Sequence, residues 1–382
     1  MSVSTHPVRE SAALLDGARS ARAVAREHAA EADRRYRLEP AAAEALTAAG
    51  FARHFVPARW GGTAGGVADA AQALSIVGEG CMSAAWTGGV MLALGRMCAN
   101  LPAEGQQEIW GDGPDVHLAG SVLPAGRVEA VPGGWRLSGE WPYASGVDFA
   151  RWTTVGGLDH SPGEPVFRHF VLPRGDYTVR ETWRNVGLRG TGSNSVVVAD
   201  AFVPRHRSFT HAAVLNGSGS AADPPCHRIP YKLFNGILFV APGVGAVREA
   251  LHEWARWTAG RREANRSRTV DRPSVRFAVS TAGTEVDTAT MLIARAAAAA
   301  DLAEVTPELP VRSTRDFAAA ADLLVAAANR LFRVSGTHGQ AESNPIQRVW
   351  RDVHCMAGHS ALQPDQSADG WANHVLGGGS IA

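Results

Sequence analysis

Two short segments of the sequence carry side chains that could act on a bound ligand. In the first, SGEWPYASGVDFA (138–150), the Ser145 hydroxyl lies between Ala144 and Gly146, whose small size would let a planar ring approach closely. A hydroxyl donates one hydrogen bond and accepts others, so Ser145 is a candidate partner for a polar ring atom. Tyr143 could pack its face against the same ring.

The second segment, RVWRDVHCMAGHSAL (348–362), contributes two histidines. Imidazole has a pKa of about 6.5, so it can accept a proton at neutral pH. We predict that His359 is a general base, which would deprotonate a phenol or keep an amine neutral. His354 is the second candidate base, although a surface or structural role is the simpler reading of it. Structural roles also remain open for Ser145, as a turn residue, and for His359, beside the carbonyls of a helix end.

Three regions of different periodicity must position these segments, and together they predict an α+β fold. Residues 1–112 are expected to form a helical domain, because apolar residues recur there at helical spacing. Residues 113–207 alternate short β-branched or aromatic runs with turn signals, which predicts a β-barrel or sandwich. Residues 208–229 lack periodicity and predict a linker. Residues 230–382 predict a four-helix bundle, with helical blocks at 231–262, 273–303, 312–335 and 344–360.

Composition and charge argue against several classes of function. Lys+Arg and Asp+Glu both number 37, so no net field would attract nucleic acid or an anionic membrane. The four cysteines are too few and too dispersed for a disulfide framework. We predict no metal site, because no group of histidines has the spacing of metal ligands. The N-terminal segment is not a secretory signal and no apolar run reaches membrane-spanning length, so we expect a cytoplasmic protein.

The order of helices, β-domain and helical bundle resembles the acyl-CoA dehydrogenase superfamily, and four motifs fit it. Segment 138–150 resembles the stretch that runs along the flavin ring in that family, which implies cofactor contacts for Trp141, Tyr143 and Ser145. NVGLRGTGSNSVVVADAFVP (185–204) resembles the turn and strand that close the family's β-domain. RVWRDVHCMAGHSAL looks like its terminal Arg-Asp helix.

The fourth motif, RVSGTHG (333–339), resembles the Gly-rich turn that approaches the cofactor of a neighbouring subunit. The resemblance therefore implies a homotetramer in which Gly336 and Gly339 lie close to a cofactor. It also places Arg262 near the flavin phosphate, with Arg261, Arg266 and Arg268 as competing candidates. Simpler readings remain open: a solvated helix charge for the arginine, a helix-breaking turn for the glycines, and the β-domain core for Trp141.

One departure from the family pattern decides the expected chemistry. Many acyl-CoA dehydrogenases abstract the substrate α-proton with a glutamate that follows the Arg-Asp pair. The corresponding position here is Ser360, beside His359, and residues 353–364 contain no Asp or Glu. Glu249 or Glu253 could replace that base from another helix, as happens in some members of the family.

A histidine at this place, together with Ser145, is similar to the two-component flavin monooxygenases of the superfamily. The resemblance implies that a separate NAD(P)H-dependent reductase supplies reduced flavin (FMNH2 or FADH2) and that O2 is a co-substrate. A C4a-hydroperoxyflavin would then hydroxylate a small phenolic or polycyclic aromatic substrate. The alternatives are N-oxygenation of an amine or amino sugar, an acyl-CoA dehydrogenase or oxidase, and a noncatalytic member of the fold.

Overall fold

The computed structural model of the protein describes residues 6–217, 222–262, 268–302 and 304–380, with side chains from residue 12 onward. The first part of the chain is helical, as predicted. Helix α4 is buried on nearly all sides because small and apolar residues cover its whole surface. The helices of this region are α1 (His6–Arg35), α2 (Pro40–Ala48), α3 (Val67–Gly78), α4 (Met82–Cys98) and α5 (Ala103–Trp110).

The central part folds into two four-stranded sheets, ordered β1-β4-β5-β8 and β2-β3-β7-β6 among the described residues. The pairing is antiparallel except between β1 and β4, which run parallel. Apolar side chains such as Trp135, Phe170 and Val196 fill the space between the sheets. The strands are β1 (Leu118–Pro124), β2 (Arg127–Val131), β3 (Gly134–Ala144), β4 (Trp152–Asp159), β5 (Val166–Pro173), β6 (Thr178–Arg180), β7 (Asn194–Pro204) and β8 (Ser208–Thr210).

The last part of the chain returns to helices and shares one hydrophobic core with the first part. Helices α3 and α8 approach so closely that a methyl group on Gly245 would lie 1.8 Å from the Ser75 carbonyl oxygen. This contact fixes the second helical region against the first. The helices are α6 (His211–Asn216), α7 (Pro225–Arg228), α8 (Asn235–Ala259), α9 (Pro273–Ala300), α10 (Glu308–Val334), α11 (Gly336–Gly339), α12 (Pro345–Ala357) and α13 (Pro364–Leu376).

The α+β class and the order of its parts are confirmed, but two local predictions were wrong. The predicted linker 208–229 contains β8, which pairs with β5, and the short helices α6 and α7. These elements are too short to show periodicity in the sequence. The structure also adds α13 after the last predicted helical block, 344–360. No helix within the described ranges is long and apolar enough to cross a membrane.

Candidate active site

A cavity of about 990 Å³ lies where the two sheets meet the shared helical core. Its lining is mainly apolar, with aromatic side chains from α4, α8 and the segment after β6. Ligand pockets commonly span about 300–1,000 Å³, so this cavity could hold two ligands side by side. Ser145, Tyr143 and His359, which the sequence analysis selected separately, all line it.

Strand β3 presents Tyr143 and Ser145 to the cavity through a sharp turn at its end. Tyr143 has a φ of 68° and is largely exposed, and its ring meets Trp183 edge to face at 6.3 Å. Gly146 follows with a φ of 73°, and a side chain there would come within 2.8 Å of the Thr87 methyl group. Its N–H donates to the Thr191 carbonyl oxygen at 2.8 Å, which ties this turn to the segment before β7.

A chain of hydroxyl groups leads away from Ser145 into the protein. Ser145 Oγ lies 2.7 Å from Ser193 Oγ, which lies 2.7 Å from Thr191 Oγ1. Thr191 Oγ1 donates to the Leu188 carbonyl oxygen at 2.7 Å. On the cavity side, Trp86 Nε1–H donates to Ser145 Oγ at 3.2 Å.

The direction of each hydrogen bond between these hydroxyl groups follows from the last acceptor, which is the Leu188 carbonyl oxygen. A carbonyl oxygen can only accept, so the single Thr191 hydroxyl hydrogen is committed to Leu188. Thr191 must therefore accept from Ser193, and Ser193 must accept from Ser145. Because Ser145 has also accepted the indole N–H of Trp86, it has one lone pair left and no hydrogen to offer a ligand.

The Arg-Asp pair of α12 holds the backbone on which this chain depends. Leu188 has a φ of 50°, and its N–H donates to Asp352 Oδ1 at 2.6 Å. Burial raises the pKa of Asp352 to about 6, although the Leu188 N–H opposes that shift. Arg351 donates to the Val186 carbonyl oxygen at 2.6 Å and pairs with Asp33 of α1 at 2.8 Å. The pair therefore positions a site segment rather than acting on a ligand.

His359 projects into the cavity between two aromatic side chains. Its ring centroid lies 4.2 Å from that of Phe239 and 5.5 Å from that of Trp86. Burial lowers the pKa of His359 to about 4, so the ring is neutral at pH 7. Nδ1 accepts the Ala361 backbone N–H at 3.2 Å, which assigns the single ring hydrogen to Nε2. His359 therefore offers an N–H donor.

His354, near the end of α12, lines the same cavity, but the hydrogen-bonding roles of its two ring nitrogens are reversed. Its Nδ1 lies 2.7 Å from the Trp350 carbonyl oxygen, which can only accept, so Nδ1 carries the hydrogen. In the neutral ring, Nε2 then keeps a free lone pair. His354 offers the acceptor that a general base requires.

Other predicted site residues lie outside this cavity. Trp141 is fully buried in the β-domain core, where its Nε1–H donates to the Gly156 carbonyl oxygen at 2.7 Å, so the predicted cofactor contact is corrected to a core role. Glu249 and Glu253 line a different, smaller pocket beside α1, which removes both as replacement bases. Among the described residues, no Asp or Glu lines the larger cavity.

The residues implied to serve the flavin phosphate or a neighbouring subunit also lie elsewhere. Arg262 is exposed after α8 and forms a β-bridge with Arg268, and Arg261 stacks on Trp257 at 4.3 Å. Arg266 lies outside the described residues. Gly336 is exposed with a φ of 57°, and Gly339 is buried against the Ser335 side chain.

The structure adds site residues that the sequence analysis missed, namely Trp86, Thr191, Ser193 and Asp352. Thr191 and Ser193 stand in the run Gly190–Ser195, where hydroxyl residues alternate with glycine and asparagine. That alternation was a usable signal for polar contacts at a turn. Trp86 gave no such signal, because an indole in an apolar helix reads as core.

Comparison with known proteins shows the family to which this chain belongs. The oxygenase subunit HsaA of the flavin-dependent monooxygenase of Mycobacterium tuberculosis is 32% identical over 89% of this chain and 89% of its own length. The chain belongs to the oxygenase subunits of flavin-dependent monooxygenases. The oxygenase component of the FADH2-dependent resorcinol hydroxylase of Rhizobium sp. is 30% identical over 84% of this chain and 83% of its own.

A family model and a solved structure agree with this assignment. Residues 237–364 match the family "Acyl-CoA dehydrogenase, C-terminal domain". XiaF from Streptomyces sp., solved in complex with FADH2 and glycerol, superposes with a TM-score of 0.90 at 28% identity, over 98% of each chain. The protein is therefore an oxygenase that uses reduced flavin, and as the oxygenase component of a two-component system it depends on a separate flavin reductase.

The cavity of this oxygenase fits a reduced flavin ring. The ring of reduced flavin carries a hydrogen on N5, whereas oxidised flavin has a bare acceptor nitrogen there. Ser145 offers a ligand one lone pair and no hydrogen, so it can accept from N5–H of the reduced form but cannot donate to N5 of the oxidised form. Tyr143 and Trp183 offer aromatic surface beside it. Ser145 would hold N5–H, and the ring would supply the electrons that activate O2.

Proposed function

We propose that this oxygenase hydroxylates a small phenolic substrate, with reduced flavin and O2 as its co-reactants. The observation that supports this proposal most directly is the presence of an oriented acceptor, an N–H donor and a free imidazole lone pair in one mainly apolar cavity. These groups are Ser145, His359 and His354. The relatives named for HsaA and resorcinol hydroxylation support an aromatic substrate.

Ser145 would act on the flavin side of the cavity. Its free lone pair would accept N5–H of the reduced ring and hold that hydrogen in place. Trp86, Phe239 and the other apolar lining residues would exclude water, which raises the strength of each remaining hydrogen bond. A dry site also suppresses the side reaction in which hydrogen peroxide is lost.

His354 and His359 would divide the work on the substrate. His354 Nε2 can take the proton from the phenol hydroxyl, which makes the ring a stronger nucleophile. His359 Nε2–H can donate to the oxygen that carries negative charge as the reaction proceeds. The base role predicted for His359 is thereby transferred to His354, because the backbone occupies the basic nitrogen of His359.

The proposal also includes the oligomeric state of the protein and its flavin reductase. We propose a homotetramer, in which Arg262, Gly336 and Gly339 would lie near the cofactor of a neighbouring subunit. Phe277 and Met291, which are mostly exposed on α9, are candidates for residues that such a subunit would cover. The reductase would draw electrons from NAD(P)H, which favours a cytoplasmic pair. Light scattering tests the assembly, and separate titrations with FMNH2 and FADH2 test the choice of flavin.

Rapid mixing tests the central proposal. The protein is loaded anaerobically with FMNH2 or FADH2 and then mixed with oxygenated buffer while the absorbance is followed. We expect a transient optical species distinct from reduced and oxidised flavin, and its decay should yield hydroxylated product from a panel of phenols. Reoxidation at the rate found in buffer alone, with no such species and no product, would rule the proposal out.

A further inference from the structure

The chain contains one lysine, Lys232, among its 37 Lys and Arg residues, and this lysine lines the active-site cavity. It stands in the short turn Tyr231–Leu233, immediately before α8. Within the described part of the chain, no Asp, Glu or Arg lines the cavity. Lys232 is therefore the one Asp, Glu, Lys or Arg side chain among those described lining residues.

The arginines of this protein contrast with Lys232, because many of them are paired. Arg330 pairs with Glu285 at 2.9 Å, and Arg295 pairs with Asp316 at 2.7 Å. No described acidic residue pairs with Lys232. Lys232 is an exposed residue of the cavity wall, and an ammonium group there without a counter-charge would gain from an anionic ligand, because a charge-assisted hydrogen bond is about twice as strong as a neutral one.

The surroundings of Lys232 include no opposing charge among the described lining residues, and one helix begins beside it. Tyr231 and Asn235 line the same wall of the cavity, where their side chains hydrogen-bond to each other and the Asn235 carbonyl oxygen accepts the Gly236 N–H at 2.8 Å. Helix α8, which runs from Asn235 to Ala259, begins at this wall, and the N-terminus of a helix carries partial positive charge. The lysine charge and the helix N-terminus therefore both favour an anion at this wall.

We propose that Lys232 binds an anionic group of the aromatic substrate, a carboxylate in the first instance. This names the substrate class of the site and rests on the proposed function. The phenol would lie toward the two histidines while its acidic substituent contacts Lys232. An anion-binding wall would also reject uncharged aromatic compounds of the same shape, which lack the group that satisfies the ammonium.

Binding of two isosteric probes tests this proposal without any flavin. Desaminotyrosine carries a phenol and a carboxylate, and its primary amide has the same shape without the charge. Calorimetry on the purified full-length protein should give a dissociation constant that is roughly tenfold lower for the acid, the size of one charge-assisted hydrogen bond. Lys232→Gln should bring the ratio close to one, whereas Lys232→Arg should keep most of it.

Arg127→Gln is the matched control, because Arg127 is an exposed residue of β2 that does not line the cavity. It removes the same charge from the protein and should leave the ratio unchanged. Equal affinity for the two probes in the wild type, the same ratio in Lys232→Gln, or an equal loss in Arg127→Gln would each overturn the proposal. Failure to bind either probe would overturn it as well.

A spectroscopic readout locates the ligand at the lysine itself. Reductive methylation with isotope-labelled formaldehyde keeps the charge and labels only the α-amino group and Lys232, since the sequence has no other lysine. The lysine signal, assigned by its loss in Lys232→Gln, should shift with the acid and not with the amide. No shift with the acid would contradict the contact. Rapid mixing with oxygen tests the proposed function separately, so either idea can fail alone.

Discussion

His354 and His359 come from one short stretch of chain and line one cavity, yet the backbone prepares them for opposite tasks. The Trp350 carbonyl oxygen accepts from Nδ1 of His354, and the Ala361 N–H donates to Nδ1 of His359. The first contact leaves a lone pair on Nε2, and the second leaves a hydrogen there. The backbone group that is bonded to Nδ1 therefore decides whether Nε2 acts as a base or as a hydrogen-bond donor.

The largest expected effect tests whether His359 acts as a hydrogen-bond donor or as a base. His359→Ala should lower hydroxylation by roughly 10²–10³-fold, the usual loss when one preorganised donor is removed. His359→Gln keeps an N–H donor and should recover most of that loss. Flavin binding should persist in both variants. Product formation per turnover measures the effect, and equal losses in both variants would contradict the donor role of His359.

The complementary change tests the lone pair of His354. His354→Gln cannot take up a proton and should lower hydroxylation by about 10²-fold, within the range for loss of a general base. Because the phenol itself ionises near a pKa of about 10, the deficit should shrink as the pH is raised. A pH–rate profile parallel to that of the wild type would remove His354 from the proton transfer.

A stability measurement sharpens the same comparison. Burial lowers the pKa of His359 to about 4, so between pH 6.5 and 4 the unfolded chain binds a proton there that the folded protein does not. Stability should therefore fall as the pH falls through that window. His359→Gln should reduce the loss between pH 7.5 and 5 by about 1–2 kcal/mol. Urea denaturation at the two pH values measures it, and an unchanged loss would contradict the buried neutral ring.

The smallest effect concerns Ser145, where a carbonyl oxygen again sets the direction of hydrogen bonds. Thr191→Val removes the hydroxyl that accepts from Ser193, so the hydrogen bond between Ser145 and Ser193 no longer has a fixed direction. The preference for reduced over oxidised flavin should fall roughly threefold to tenfold, the worth of one neutral hydrogen bond. Anaerobic titration with each flavin form measures the ratio, and Thr178→Val on β6 is the control. An unaltered ratio would contradict the idea that the fixed orientation of the Ser145 hydroxyl selects reduced flavin.

Residue types and periodicity could predict the fold and part of the site. Helical spacing at both ends of the chain and short β-branched runs between them gave the α+β order, because these patterns are local. They missed β8 and α6, which depend on contacts made far along the chain. The absence of a carboxylate beside His359 was also readable, because it is a property of the sequence alone.

The amino-acid sequence by itself determined which chemical groups this protein possesses: a serine two residues after a tyrosine, two histidines in a stretch (353–364) that contains no acid, and a single lysine. Only the tertiary structure decided what those groups can do. It buried Trp141, removed Glu249 from the cavity and gave each histidine a backbone partner. The physical reason is that the direction of a hydrogen bond depends on the partner, and here the partners come from turns and distant segments that no spacing in the sequence specifies.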